Sequence, residues 1–172
     1  EAAGKPPVLD YDYEGIAVAR GYERAANYAL VRIIPPKGVN IDDRKRPFVI
    51  VDPRAGHGPG IGGFKEDSEV GVALKAGHPV YFVIFFPDPE PGQTLADVTD
   101  AEAEFIRIVD ERHPHAQKPV IIGNCQGGWA VMMLAAARPD IAGPLVINGA
   151  PMSYWAGGDG GSPMRYAGGL LG

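Results

Sequence analysis

The residues best suited to chemistry lie in Gly123-Asn124-Cys125-Gln126-Gly127, which fits the pattern G-x-C-x-G. This is the cysteine counterpart of the G-x-S-x-G nucleophile elbow, a sharp strand-to-helix turn that exposes its central side chain. Small residues are needed on both sides because the strand and helix backbones approach closely there. The N-terminus of the following helix carries partial positive charge, which favours a thiolate. The segment predicts Cys125 as a nucleophile toward carbonyl carbon, and a buried small hydrophobic residue in a glycine turn is the alternative.

A nucleophile of this kind needs backbone amides that stabilise the oxyanion formed on the attacked carbonyl group. We expect one amide from Gln126, the residue after the cysteine. We expect the second from the loop 52–60, near Arg54 or Ala55, or else near His57. Two roles are open for the His57 side chain: it contacts the substrate, or it forms a hydrogen bond within a tight loop.

The histidine and carboxylate that would activate the cysteine are expected to follow it along the chain. All four histidines precede it: His57, His78, His113 and His115. The carboxylates that follow Cys125 are Asp140 and Asp159. Either the histidine lies beyond Gly172 or the protein is not a triad enzyme. The glycine-rich end, which lacks a closing helix, favours the first alternative.

Short apolar runs alternate with helical patterns, and these elements must position the cysteine. After an antiparallel strand pair at 13–19 and 28–34, buried strands are predicted at 47–51, 79–86, 119–122 and 144–148. Three helices are predicted. The first covers 64–76, the second begins at a capping box formed by Thr99-Asp100-Ala101-Glu102, and the third covers 129–137. Alternation of this kind is typical of a mostly parallel sheet with helices on both faces.

These elements predict an α/β fold, and the elbow motif between the strand at 119–122 and the helix at 129–137 is typical of the α/β-hydrolase type. We expect a lead-in or linker over residues 1–12 and the N-terminal part of the domain over 13–150. Residues 151–172 are expected to begin a cap or loop region of a domain that continues beyond the chain end. If so, one sheet edge exposes apolar surface, which favours association into a homo-oligomer.

A rival pattern uses the glycines of Gly58-Pro59-Gly60-Ile61-Gly62-Gly63, which match G-x-G-x-x-G. That pattern binds dinucleotides when it directly follows a strand and opens a helix. Here the first glycine lies about seven residues past the predicted strand end, so the pattern gives weak support. No cofactor and no metal is predicted from the sequence.

Composition excludes several partner classes. The net charge is −5 and the pI is near 5.3, so the basic surface that binds nucleic acid is missing. No apolar run approaches the ~20 residues of a membrane-spanning helix. One cysteine cannot form an intrachain disulfide, which favours a reducing, cytoplasmic location.

The chain resembles uncharacterised bacterial proteins of the poly(3-hydroxyalkanoate) synthetase-like family, an α/β-hydrolase branch related to polyhydroxyalkanoate synthases. The similar segments are residues 27–33, 51–64, 123–130 and 153–157. The resemblance implies longer full-length members with the acid and histidine downstream, a hydroxyacyl-CoA substrate class, and Cys125 as carrier of the acyl chain in a thioester. Gln126 and Trp129 depart from the synthase pattern, where an apolar and a small residue stand.

Three functions follow as hypotheses. The first is an acyltransferase in which Cys125 attacks a small-molecule thioester or ester. The second is a thioesterase or esterase that uses water as acceptor. The third is a catalytically inactive granule-associated or scaffold protein.

Overall fold

The computed structural model describes residues 9–53, 61–150 and 152. Six strands lie in these ranges: β1 Tyr13–Val18, β2 Tyr28–Ile33, β3 Phe48–Val51, β4 Val80–Phe85, β5 Val120–Asn124 and β6 Leu145–Asn148. The α-helices of the same ranges are α1 Glu69–Lys75, α2 Leu95–Arg112 and α3 Gln126–Ala137. Short 3₁₀ helices lie at Ala19–Gly21 and Ile61–Gly63.

The strands form one sheet in the order β1-β2-β4-β3-β5-β6. β3, β4, β5 and β6 pair in parallel, whereas β2 pairs antiparallel with both β1 and β4. The predicted mostly parallel sheet with an N-terminal antiparallel pair is therefore confirmed. This order brings the carboxyl ends of β3, β5 and β6 side by side at one edge.

Helices cover both faces of the sheet, as predicted. Successive residues of a strand point to opposite faces. On one face, Ile50 and Phe82 share a buried cluster with residues of α1. On the other face, Val49, Tyr81 and Ile121 share a second cluster with residues of α2 and α3. The central strands are apolar on both sides because both sides are covered.

Helix α2 begins earlier than predicted. Its N-cap is Thr94, whose hydroxyl accepts a hydrogen bond from the Asp97 amide at 3.3 Å, while the Asp97 carboxylate accepts one from the Thr94 amide at 2.7 Å. The capping box predicted at Thr99 is therefore wrong. Thr99 lies inside the helix, and its hydroxyl donates to the Leu95 carbonyl. Aspartate at the third helical position takes the role usually played by glutamate or glutamine.

Helix α1 is shorter than the predicted segment 64–76. The Ser68 hydroxyl caps it by accepting from the Gly71 amide at 3.4 Å. A β-carbon at Gly71 would collide with the carbonyl of Glu66, so the chain turns tightly before the helix begins. Leu9, within the predicted lead-in, is buried in the cluster on the α1 face.

Apolar side chains remain exposed beside β6, which ends the sheet. Met132 and Met133 of α3 are each 39% exposed, and Val146 of β6 is 40% exposed. Association through this edge stays a prediction. No helix of the described ranges has the length and apolarity needed to span a bilayer.

Candidate active site

Cys125 occupies a strained turn between β5 and α3. Its backbone has φ 51° and ψ −119°, the one positive φ at a non-glycine position among the described residues. Such backbone angles are costly for an L-residue and persist only where the surroundings impose them. The Cys125 amide donates to the Asn148 carbonyl at 2.8 Å, and its carbonyl accepts from the Gly128 amide at 2.9 Å. The side chain is exposed, which does not fit the alternative of a buried hydrophobic cysteine.

Glycines on both sides of the cysteine allow the backbones to approach. A β-carbon at Gly123 would lie 2.6 Å from the α-carbon of Gly128. A β-carbon at Gly127 would collide with the carbonyl of Val51 in the neighbouring strand. The close approach of strand and helix expected from the G-x-C-x-G pattern is thus present.

A cluster of polar side chains lies at the carboxyl ends of β3, β5 and β6, next to the turn. The Asn124 amide nitrogen donates to Asp52 Oδ1 at 3.1 Å and to Glu69 Oε2 at 2.8 Å. The Asn148 amide nitrogen donates to Glu69 Oε1 at 2.7 Å and to Asn124 Oδ1 at 3.3 Å. We name Asp52, Glu69, Asn124 and Asn148 the strand-end cluster. It ties the residue before Cys125 to three other elements.

The strand-end cluster was missed from the sequence. A signal was available, because Asp52, Asn124 and Asn148 each stand at or directly after the end of an apolar strand. Parallel strands bring such positions to one edge. Glu69 carried no comparable signal, since it is the first residue of a helix.

A cavity of about 120 Å³ lies on the α2 and α3 face, beside the first turn of α3. Gln126 and Gly127, the two residues after the cysteine, form part of its wall. The rest of the described wall comes from β2, the end of β3, α2 and α3: Tyr28, Val51, Asp52, Pro53, Leu95, Val98, Thr99, Glu102, Trp129, Ala130 and Met133.

Glu102 is the most unusual group in this wall. It is only 2% exposed, and within the described part of the chain its Oε2 atom has no hydrogen-bond partner. Burial raises the pKa of the Glu102 carboxyl to about 8. At neutral pH the group is therefore mainly a carboxylic acid, which can donate a hydrogen bond.

The predicted oxyanion donors are divided between described and undescribed residues. Gln126 is the first residue of α3, where backbone N–H groups have no acceptor within the helix. Its role as an oxyanion donor stays a prediction. Arg54, Ala55 and His57 lie outside the described residues, so their roles stay predictions.

Two of the described histidines are held near the amino ends of the parallel strands, away from the carboxyl ends that carry Cys125. His113 is the C-cap residue of α2 and is buried, and its Nε2 lies 2.9 Å from the Tyr81 hydroxyl. His78 Nδ1 lies 2.8 Å from the Arg46 carbonyl, before β4 begins. Neither of these two histidines lies at the carboxyl ends of the strands, where Cys125 stands.

The described part of the rival glycine pattern does not open an α-helix. Gly62 and Gly63 form a 3₁₀ turn, and α1 begins only at Glu69 after its cap at Ser68. A dinucleotide site needs the glycines at the start of the helix itself. Residues 58–60 of the pattern lie outside the described ranges.

Comparison with known proteins places the whole chain within one family. Residues 1–172 match the model of DUF3141, described as a protein of unknown function. A Rhizobium meliloti protein, designated an uncharacterized protein in the ackA 5′ region, is 62% identical over 168 residues. That match covers 97% of this chain and 23% of the relative, so the chain spans about a quarter of the relative's length.

Similar solved structures share the α/β-hydrolase fold. A carboxyl esterase from Bacillus coagulans has a TM-score of 0.54 at 13% identity, over 80% of this chain and 43% of the esterase. A CIB-like hydrolase from Thermoplasma acidophilum has a TM-score of 0.50 at 19% identity, over 81% of this chain and 62% of that one. A 2-hydroxy-6-oxo-6-phenylhexa-2,4-dienoate hydrolase from Rhodococcus has a TM-score of 0.50 at 16% identity, over 82% and 47%. The predicted fold is confirmed, and at these identities the likeness concerns the fold alone.

Proposed function

The chain belongs to the DUF3141 family, and we propose that it carries the nucleophile of an acyl hydrolase, Cys125. The observation that supports this proposal best is the positive φ of an exposed cysteine between β5 and α3. A cysteine with a structural role has no need of this backbone strain. Gly123, Gly127 and Gly128 surround the turn together with the strand-end cluster, and they hold the Cys125 backbone in this strained conformation.

In the proposed reaction, the Cys125 thiolate attacks the carbonyl carbon of an ester or thioester. The Gln126 amide donates a hydrogen bond to the oxygen, which becomes negatively charged as the tetrahedral intermediate forms. Collapse of the intermediate breaks the bond to the alkoxide or thiolate leaving group, which takes up a proton. Water then attacks the acyl thioester, releases a carboxylic acid and regenerates the thiol.

Proton transfer requires a base beside the thiol. His78 and His113 lie near the amino ends of the parallel strands and are engaged there. We propose that a histidine of the full natural protein, oriented by a carboxylate, fills this role as in other enzymes with a nucleophile elbow.

Acyl transfer is the second candidate, and the cysteine itself favours it. A thioester on Cys125 retains more acyl-transfer potential than an ester on serine, so an alcohol acceptor can compete with water. The family resemblance implies hydroxyacyl-CoA as donor, and the alcohol of a second hydroxyacyl group would then be the acceptor. Hydrolase and transferase share every step up to the acyl-enzyme.

The test uses the protein at its full natural length with a panel of short acyl-CoA thioesters and p-nitrophenyl esters. We expect turnover in the wild type and a loss of at least about a thousandfold in Cys125→Ala, since nucleophilic steps contribute on this scale. Met132→Leu, an exposed change on the same helix, is the matched control. Free acid as product supports the hydrolase, and ester-linked oligomers support the transferase. Absence of turnover with every substrate, together with an unacylated Cys125, would leave a scaffold role.

A further inference from the structure

The cavity beside α3 combines apolar walls with two buried acids, namely Glu102 and Asp52, which is hydrogen-bonded within the strand-end cluster. Leu95, Val98 and Met133 supply apolar surface, and Glu102 supplies a carboxyl whose Oε2 atom has no hydrogen-bond partner among the described residues. A buried carboxyl without a partner costs free energy, and an apolar side chain of similar size would avoid that cost. A packing role alone therefore does not account for glutamate at this position.

We propose that this cavity binds a small uncharged group of a ligand, and that the Glu102 carboxyl donates a hydrogen bond to one neutral oxygen on it. The proposal makes Glu102 a specificity-determining residue. It rests on the proposed function only in taking this ligand to be part of the acyl substrate.

The size of the cavity limits the group that it accepts. Its volume of about 120 Å³ is somewhat below that of the engineered apolar cavity of about 150 Å³ that binds benzene. A group of roughly five non-hydrogen atoms matches this space. Longer unbranched chains would have to extend out of the cavity.

The described surroundings of Glu102 favour an uncharged ligand over an anion. None of the described residues that line the cavity is a cation, so an anionic group there would gain no ion-pair partner from them. A neutral carbonyl or ether oxygen instead accepts the Glu102 proton and satisfies both groups. The raised pKa of Glu102 agrees with this role, because it keeps the donor protonated at neutral pH.

The position of the cavity connects it to the turn. Gln126 belongs both to the cavity wall and to the first turn of α3, directly after Cys125. A ligand held against Glu102 therefore has its other end near the predicted oxyanion donor.

The experiment measures equilibrium binding of three probes of five non-hydrogen atoms each: butan-2-one, 1-chlorobutane and propanoate. Ligand-observed NMR titrations use the full-length protein as wild type, Glu102→Leu, Glu102→Gln and Cys125→Ala. Glu104→Gln is the matched control, because it changes a glutamate of the same helix that pairs with Arg107 at the surface. Ala130→Leu, which fills the cavity, locates the site.

We expect the wild type to bind butan-2-one about tenfold more tightly than 1-chlorobutane, with propanoate weakest. Glu102→Leu should abolish the preference for the ketone, Glu102→Gln should retain most of it through its amide donor, and Ala130→Leu should weaken both neutral probes. Glu104→Gln should change nothing. If Glu102→Leu does not fold, the wild-type ranking together with Ala130→Leu decides.

Three results would overturn the proposal: no saturable ketone binding in the wild type, an unchanged ketone preference in Glu102→Leu, or tightest binding of propanoate. The proposed function fails separately. Cys125→Ala should retain the ranking of probes whether or not Cys125 forms an acyl-enzyme, and an acyl-enzyme without any ranking would contradict the cavity proposal alone.

Discussion

Two glutamates near the carboxyl ends of the strands differ in their hydrogen-bond partners. Glu69, on the α1 face, accepts hydrogen bonds from Asn124 at 2.8 Å and from Asn148 at 2.7 Å. Glu102, on the opposite face, is buried, and within the described ranges its Oε2 atom has no hydrogen-bond partner. A carboxylate with fixed donors holds neighbouring elements in place, whereas a neutral acid with an open hydrogen-bonding site is suited to a ligand. We therefore assign Glu69, on one face of the sheet, to positioning the turn, and Glu102, on the other face, to recognition of a ligand.

The largest effect on stability is expected at Gly127, in the first turn of α3. In Gly127→Ala the new β-carbon would collide with the Val51 carbonyl, and a backbone atom cannot move aside cheaply. We expect the free energy of unfolding to fall by about 4 kcal/mol or more, or the protein not to fold. Urea unfolding followed by circular dichroism measures it. Gly15→Ala, where a β-carbon meets nothing within 4 Å, is the control and should change stability by less than about 1 kcal/mol.

The next largest effect is the dependence of stability on pH that Glu102 contributes. The folded state keeps the Glu102 proton up to about pH 8, whereas an unfolded glutamate releases it near 4.5. Since the folded state binds more protons between these values, the free energy of unfolding contributed by Glu102 falls as pH rises from about 4.5 to 8 and is constant beyond.

Glu102→Gln removes this dependence. Compared with that variant, the wild type should lose on the order of a few kcal/mol of stability between pH 5 and pH 8.5. Urea unfolding of both proteins across this range measures the difference, and Glu104→Gln is the control on the same helix. Parallel curves for the wild type and Glu102→Gln would show that the Glu102 pKa is not raised.

A moderate effect is expected at Asn124. Asn124→Ala removes the donor shared by Asp52 and Glu69, and both carboxylates lose a charge-assisted hydrogen bond. We expect a loss of about 2 kcal/mol in the free energy of unfolding and a matching loss of activity, because the residue before Cys125 is no longer held. The control is Gln117→Ala, an amide with an exposed hydrogen bond to Arg46. Equal effects in both variants would mean that the strand-end cluster has no special role.

The smallest effect tests where the helix that carries Glu102 begins. Thr94→Ala removes the side-chain cap of α2 and should cost about 1 kcal/mol. Thr99→Ala, inside the helix, should be close to neutral, because alanine has the higher helix propensity. Chemical denaturation of the two variants side by side measures the difference. A larger loss in Thr99→Ala than in Thr94→Ala would favour a helix start at Thr99.

Much of the fold could be predicted because its central strands are short apolar runs, and proline follows two residues after the last residue of β2 and of β4. Such runs are local signals, as in the segment 79–86, which contains β4. The elbow was equally local, since its glycines and cysteine are consecutive. The start of α2 was misplaced because Thr94 and Thr99 both offer capping patterns, and only tertiary packing selects between them.

The buried acid and the strand-end cluster could not be predicted in the same way. Glu102 stands in a helix with many charged residues, and its burial depends on α3 packing against it. Asp52, Asn124 and Asn148 are far apart in sequence, so their contact requires the strand order. These features follow from topology, not from local pattern.

Trapping an acyl-enzyme on the full-length protein tests the central claim, that Cys125 is a nucleophile, most directly. The protein is mixed with a short acyl-CoA thioester, quenched with acid within seconds, and its intact mass and peptides are determined. We predict a mass increase of one acyl group located on Cys125, reduced by Ala130→Leu and absent in Cys125→Ala. An unmodified Cys125 in a protein that hydrolyses the same thioester, or an equal adduct in Cys125→Ala, would contradict it.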